Sequence, residues 1–193
     1  HFPCAAQRGG CCVGFLWEER ISQGSSSTLK SIPIIGQLSG GLKLAGRIIV
    51  VMGVSGCGKT TVGKLVADGL NCEFIEGDEF HSPKNIAKMA TGQSLDDDDR
   101  RGWLVSLNQK LREILVADSL AVLSCSALKE IYRKWLTDGF STRVLFIFIK
   151  GDFNEINQRM EEREGHYMKA NMLAGQFDAL EQPAGVPTFD LAI

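Results

Sequence analysis

No stretch of this 193-residue chain is apolar for long enough to cross a bilayer as a helix; the longest runs, such as residues 143–149, have the length of a strand. Charge of one sign is not in excess either. The formal net charge is −2, and basic residues alternate with acidic ones without gathering into a stripe. That removes the electrostatic footprint that binding to nucleic acid or to an anionic membrane requires. Six cysteines stand at positions 4, 11, 12, 57, 72 and 125, but no pair at zinc-ligand spacing has a second pair downstream. They read as reduced intracellular thiols and not as a disulfide framework. No internal repeat is visible.

What is present is the composition of an ordinary globule, 44% hydrophobic and 23% charged, at a length that builds one sizeable core. Residues 1–44 differ in texture, with Gly9-Gly10-Cys11-Cys12, Gly24-Ser25-Ser26-Ser27 and Gly40-Gly41, and they show no sustained period. The segment is read as a disordered extension or an artefact of the gene model, and the folded domain as residues 45–193. A strongly basic amphipathic pattern, the mark of a transit peptide, is missing. A cytoplasmic location is expected, with organelle targeting by residues 1–44 left open.

From Arg47 the character changes. Ile48-Ile49-Val50-Val51-Met52 is a β-branched apolar run of the kind found in strands buried on both faces. Residues 60–70 read as a helix carrying Val62, Leu65 and Val66, and residues 72–75 as a second strand ending in the acidic turn 76–79. The clearest helix spans 96–117, where Trp103, Leu104, Leu107, Leu111, Ile114 and Leu115 recur at three-to-four spacing. Strands at 120–123 and 144–149 then alternate with helices at 127–136 and 152–163, and a further helix-forming stretch covers 170–180. Such alternation predicts an α/β fold: a doubly wound, mostly parallel sheet with helices on both faces, joined by right-handed crossovers. After Gln182-Pro183 no strand is discernible in 184–193, so a last strand and helix are expected to be missing and 144–149 to lie at an edge.

Gly53-Val54-Ser55-Gly56-Cys57-Gly58-Lys59-Thr60 matches G-x-x-x-x-G-K-[ST] in full, between a buried strand and a helix. Glycines allow successive backbone N–H groups to turn inward around phosphate oxygens, and the following helix N-terminus adds partial positive charge. The pattern predicts an ATP-binding loop that continues to Thr61. Lys59 would reach the β- and γ-phosphates, and the Thr60 hydroxyl would be a Mg²⁺ ligand.

A P-loop alone does not separate kinases from other nucleotide hydrolases. Asp78 lies at the carboxyl end of the second strand, the edge where open α/β sheets bind ligands. Taken alone it reads equally as a turn aspartate, and His81 as a surface histidine. Asp96–Asp99 is accounted for as carboxylates in the first turn of a helix, with Arg100 and Arg101 solvated or paired to them. Arg159 and Arg163 sit one turn apart, as surface charge or as lid cations.

Several blocks together resemble the P-loop gluconokinases, relatives of shikimate kinase and adenylate kinase in fold. They are the P-loop, then Gly77-Asp78-Glu79-Phe80-His81-Ser82-Pro83-Lys84-Asn85, and Leu95-Asp96-Asp97-Asp98-Asp99-Arg100. They continue with Cys125-Ser126-Ala127-Leu128-Lys129, Tyr132-Arg133, Arg163-Glu164-Gly165-His166, and Gln176-Phe177-Asp178-Ala179-Leu180-Glu181-Gln182-Pro183. They run in family order over about residues 47–183. The resemblance implies ATP- and Mg²⁺-dependent phosphorylation of D-gluconate, with Asp78 acting on the attacking hydroxyl. It sets His81 and Arg100 beside the sugar acid, Lys129 and Arg133 as further contacts, and Arg159 and Arg163 over the transferring phosphoryl group. Ser94 stands where the family has proline. A homodimer, another acceptor such as shikimate, and a truncated chain that only binds nucleotide stay open.

Overall fold

The computed structural model describes residues 44–162 and 170–190. Its centre is β1 (Ile48–Met52), with all five residues buried. Alternation of side chains across the strand divides them between two layers. Ile48, Val50 and Met52 join one apolar cluster, and Ile49 and Val51 join the other. Both faces of the sheet are therefore covered, as the uninterrupted β-branched run requires.

Five parallel strands stand in the order β2-β3-β1-β4-β5, with β2 at Glu73–Glu76, β3 at Ala121–Ser124, β4 at Val144–Lys150 and β5 at Thr188–Asp190. Helix α1 (Lys59–Leu70) follows β1. It contributes Val62 and Val66 to the same layer as Ile156 and Met160 of α5 (Phe153–Glu162) and Leu173 of α6 (Ala170–Ala179). On the opposite face lies α3 (Asp97–Val116), whose Trp103, Leu104, Leu107, Leu111, Ile114 and Leu115 are all buried, beside α4 (Glu130–Thr137) with Tyr132 and Leu136. None of the described helices is long and apolar enough to cross a membrane.

The predicted last helix boundaries and strand starts hold to within a few residues, with two physical causes of shift. Asn71 caps α1 in the left-handed region (φ 50°) and its neighbour Cys72 folds back to Ala67 O, so β2 begins at Glu73. Ala127 is also left-handed (φ 41°), which delays α4 to Glu130.

Two features correct the sequence reading. Residues 188–190 do form a strand, pairing Phe148 with Thr188, Ile149 with Phe189 and Lys150 with Asp190. The carboxyl half of β4 is thus not an edge. A three-residue strand directly after Pro187 is too short for any alternation to be read. The second feature is α2 (Pro83–Ala90), which opens on Ser82, whose hydroxyl accepts from Asn85 N, with Pro83 in the first helical position.

Candidate active site

Because β3 and β4 lie on opposite sides of β1, the chain reverses its winding direction at β1, and a crevice opens beyond the carboxyl ends of these strands. The P-loop fills the first position in it. Gly53 approaches Ile149 so closely that a Cβ would stand 2.5 Å from its carbonyl oxygen, and Gly58 caps α1 with φ 85°, a left-handed conformation suited to glycine. Cys57 is buried beneath the loop. Burial pushes its thiol above its ordinary pKa despite the nearby charge of Lys59, so it is a packing residue and not a thiolate. Lys59 Nζ donates to Val54 O at 2.9 Å, which lays the ammonium across the loop.

The corner beside Thr60 was not legible in the motif. Thr60 Oγ1 donates to Glu76 Oε2 at 2.7 Å. Glu76 is the register partner of Ser124 across β2 and β3, so the two side chains share one face of the sheet. Ser124 Oγ is buried with no hydrogen-bond partner among the described residues. A hydroxyl, a carboxylate and a second hydroxyl make a hard-oxygen donor set, the chemistry that suits Mg²⁺.

A cavity of about 170 Å³ joins this loop to the second half of the site. It is smaller than the ~300–1,000 Å³ of pockets for drug-sized ligands, and so suits a small polar acceptor. Its lining includes Ser55 and Lys59 of the loop together with Asp78, His81, Arg100 and Lys129. Asp78 is carried by the 3₁₀ turn Gly77–Phe80 that follows β2. His81 stacks on Trp103, with ring centroids 4.2 Å apart and an interplanar angle of 22°. Trp103 Nε1 in turn donates to Gly77 O at 2.8 Å, which fixes the turn bearing Asp78. His81 is thus no surface histidine: its side chain is 6% exposed, Nε2 stands 3.9 Å from Asp78 Oδ1, and Nδ1 has no partner among the described residues. Burial holds its pKa below the ordinary histidine value, helped by the charge of Arg100 and opposed by Asp78.

The acidic run divides its labour. Asp96 and Asp99 form a reciprocal capping box at the start of α3, with Lys88 of α2 bonded to both carboxylates. The Asp99 backbone amide, and after it Lys88, holds the Asp96 carboxyl down at about 2. Asp97 turns instead to the cavity. It accepts from Lys129 Nζ through both oxygens (2.8 and 3.0 Å) and from the Tyr132 hydroxyl, and these partners depress its pKa. Arg100 makes no ion pair with a carboxylate among the described residues. Its Nε donates to Leu95 O at 3.2 Å and its guanidinium lies 5.5 Å from the centre of the Tyr132 ring.

Arg133 is not brought to the cavity: one guanidinium nitrogen donates to the carbonyls of Ala127, Leu128 and Glu181 and so ties down the segment after β3. Arg159 lies on α5, close enough to the P-loop for its charge to act on Cys57. Arg163 lies outside the described residues. Gln176 of α6, which no pattern in the sequence marks as a site residue, accepts at Oε1 from the Ser55 backbone N–H at 2.7 Å.

The chain is similar to proteins already known. The family model described as shikimate kinase matches residues 55–180. The thermoresistant gluconokinase of Escherichia coli (strain K12) is 42% identical over 146 residues, 76% of this chain and 83% of that protein. The gluconokinase of Gluconobacter oxydans (strain 621H) is 47% identical over 137 residues, 71% and 76% of the two chains. The crystal structure of a gluconokinase from Sinorhizobium meliloti 1021 superposes with a TM-score of 0.69 at 40% identity, covering 77% of this chain and 84% of that one. With the P-loop and these matches over most of both chains, the protein belongs to the gluconokinase family of P-loop kinases.

Proposed function

We propose that the protein transfers the γ-phosphoryl group of ATP to the 6-hydroxyl of D-gluconate, yielding 6-phospho-D-gluconate and ADP. The observation that carries this reading is a small cavity lined both by Lys59 of the P-loop and by Asp78 and Arg100. The loop has the donors that hold a triphosphate, and the rest of the lining offers a carboxylate and a cation for a hydroxylated acid.

In this reaction the acceptor oxygen forms a bond to the γ-phosphorus while the bond from that phosphorus to the β,γ-bridging oxygen breaks. Asp78 orients the attacking hydroxyl and accepts its proton as the new bond forms. Arg100, whose stem is fixed at Leu95 O, offers a planar fork to the carboxylate of the acceptor. His81, kept neutral by burial, offers Nδ1 to a sugar hydroxyl. Lys59 and Arg159 place positive charge where the transferring group gains negative charge. Thr60 and Glu76, with Ser124 on the same face, would hold a hydrated Mg²⁺. When bound, the ion would supply positive charge that neutralises the phosphates.

The test is a coupled assay of ADP release with Mg·ATP and a panel of polyol acids, including gluconate and shikimate, beside the Lys59→Ala variant. Gluconate-dependent turnover that disappears in the variant is expected. Turnover with shikimate and none with gluconate overturns the acceptor, and equal ADP release by both proteins overturns the assignment of the P-loop.

A further inference from the structure

Helix α6 lines the cavity with Met172, Gly175, Gln176 and Ala179, and its contacts to the rest of the site are of different kinds. At its middle, Gln176 Oε1 accepts from Ser55 N, a backbone donor of the phosphate loop 121 residues away in sequence. Past its end, Glu181 N donates to Leu128 O at 3.0 Å, and the Glu181 carboxylate accepts from Glu130 N. Arg133 adds a bond to Glu181 O at 3.1 Å. These three contacts fasten the segment that carries Ser126 and Lys129 to the cavity. The helix itself is seated in the core: Leu173 is fully buried, and Phe177 meets Phe153 of α5 edge to face at 5.3 Å.

An amide side chain has one acceptor end, and a backbone N–H can only donate, so the orientation of the Gln176 carboxamide is set by Ser55. Ser55 is the third residue of the P-loop, ahead of the N–H groups at the start of α1 that cradle phosphate. Its N–H is spent on α6. The loop is thereby pinned to the element that also holds the acceptor wall.

We propose that Gln176 is a positioning residue for phosphoryl transfer, fixing the P-loop against α6 so that the phosphate cradle and the acceptor wall keep one distance. Phosphoryl transfer depends on placement more than on covalent chemistry, and a misplacement of about 1 Å costs on the order of 10²-fold in rate. The inference rests on the gluconate kinase reading for its rate arm only.

The experiment compares the unmutated chain with Gln176→Met, which keeps length but loses the acceptor oxygen, and Gln176→Glu, which keeps an oxygen for Ser55. Amide hydrogen exchange at Ser55, ADP affinity, melting temperature, kcat and KM are read for each. In the Met variant, exchange at Ser55 should accelerate and kcat fall by about 10- to 100-fold, with ADP affinity and melting temperature nearly unchanged. The Glu variant should restore slow exchange at Ser55. Exchange at Ser55 indifferent to the Met substitution, or kcat within about twofold of the parent, overturns the proposal. So does a Met variant whose defect is confined to melting temperature. Absence of gluconate turnover in the unmutated chain sinks the acceptor reading instead, and the exchange arm, with ATP hydrolysis to water as the rate, still decides the role of Gln176.

Discussion

Thr60 Oγ1 and Glu76 Oε2 are hydrogen-bonded at 2.7 Å, which joins the first turn of α1 to the carboxyl end of β2. The P-loop motif contains Thr60, but nothing in it names a carboxylate partner. Glu76 supplies one, and it does so from the strand next to β3, where Ser124 faces the same side.

Glu76→Gln keeps an oxygen that can accept from Thr60 and removes only the charge. The Mg²⁺ concentration for half-maximal turnover should rise about tenfold, equivalent to about 1.4 kcal/mol. That is modest beside the ~4 kcal/mol between unit charges 4 Å apart at an effective dielectric of 20. A Mg²⁺ titration of turnover at saturating ATP measures it. A half-saturation point that does not move would assign Glu76 to hydroxyl positioning alone.

Asp78→Asn should lower kcat by about 10²–10⁴ while leaving the KM for ATP nearly unchanged, because its carboxylate is carried by the turn after β2 and not by the phosphate loop. Steady-state kinetics with each substrate varied separate the two. A variant defective chiefly in ATP affinity would move Asp78 to the metal.

Arg100→Ala should raise the KM for gluconate by roughly 10- to 100-fold, the scale of one charged hydrogen-bonding contact, and spare nucleotide binding. Lys129→Ala should do less, since Lys129 already spends its charge on both oxygens of Asp97. Arg100→Lys should recover only part of the loss, because an ammonium lacks the bidentate fork. Equal gluconate KM in Arg100→Ala and the parent returns Arg100 to its packing on Tyr132.

These outcomes depend on residues of very different legibility. β1, the P-loop and α1 could be read in order because burial on both faces leaves an uninterrupted apolar run, and α3 because its buried side chains keep helical spacing. α2 could not: Ile86 is 53% exposed while Asn85 is buried, its Nδ2 donating to Asp99 O, so the apolar period is inverted. Only the Ser82-Pro83 start marked it. Glu76 and Gln176 escaped for another reason. Each makes a hydrogen bond to a partner set by the fold, and such a contact leaves no local pattern. Arg133 shows the converse, a residue whose place in a motif block suggested substrate but whose guanidinium serves three backbone carbonyls.

The buried state of His81 makes a pH prediction. Its ring is clamped on Trp103, and Trp103 is held by Gly77 O, so protonation cannot be relieved by swinging the ring out without breaking that stack. Burial lowers the folded-state pKa below 6.5, with Arg100 acting in the same direction and Asp78 against it. Above about pH 6.5 the ring is neutral in both folded and unfolded chains, and it contributes no slope. As pH falls through that value, the unfolded chain takes up a proton that the folded one refuses, so stability declines until the folded-state pKa is reached. Asp96 and Asp99 also lose stability on acidification, but their folded pKa values are depressed carboxylate values, so their window opens only below about pH 4. His81→Gln should therefore flatten the melting-temperature profile just below pH 6.5 and leave the limb below pH 4 intact. Melting curves of parent and variant at half-unit pH steps resolve the two windows. If both profiles fall in parallel below pH 6.5, the imidazole takes up its proton as readily in the fold as out of it, and its part in the site is that of a hydrated ring.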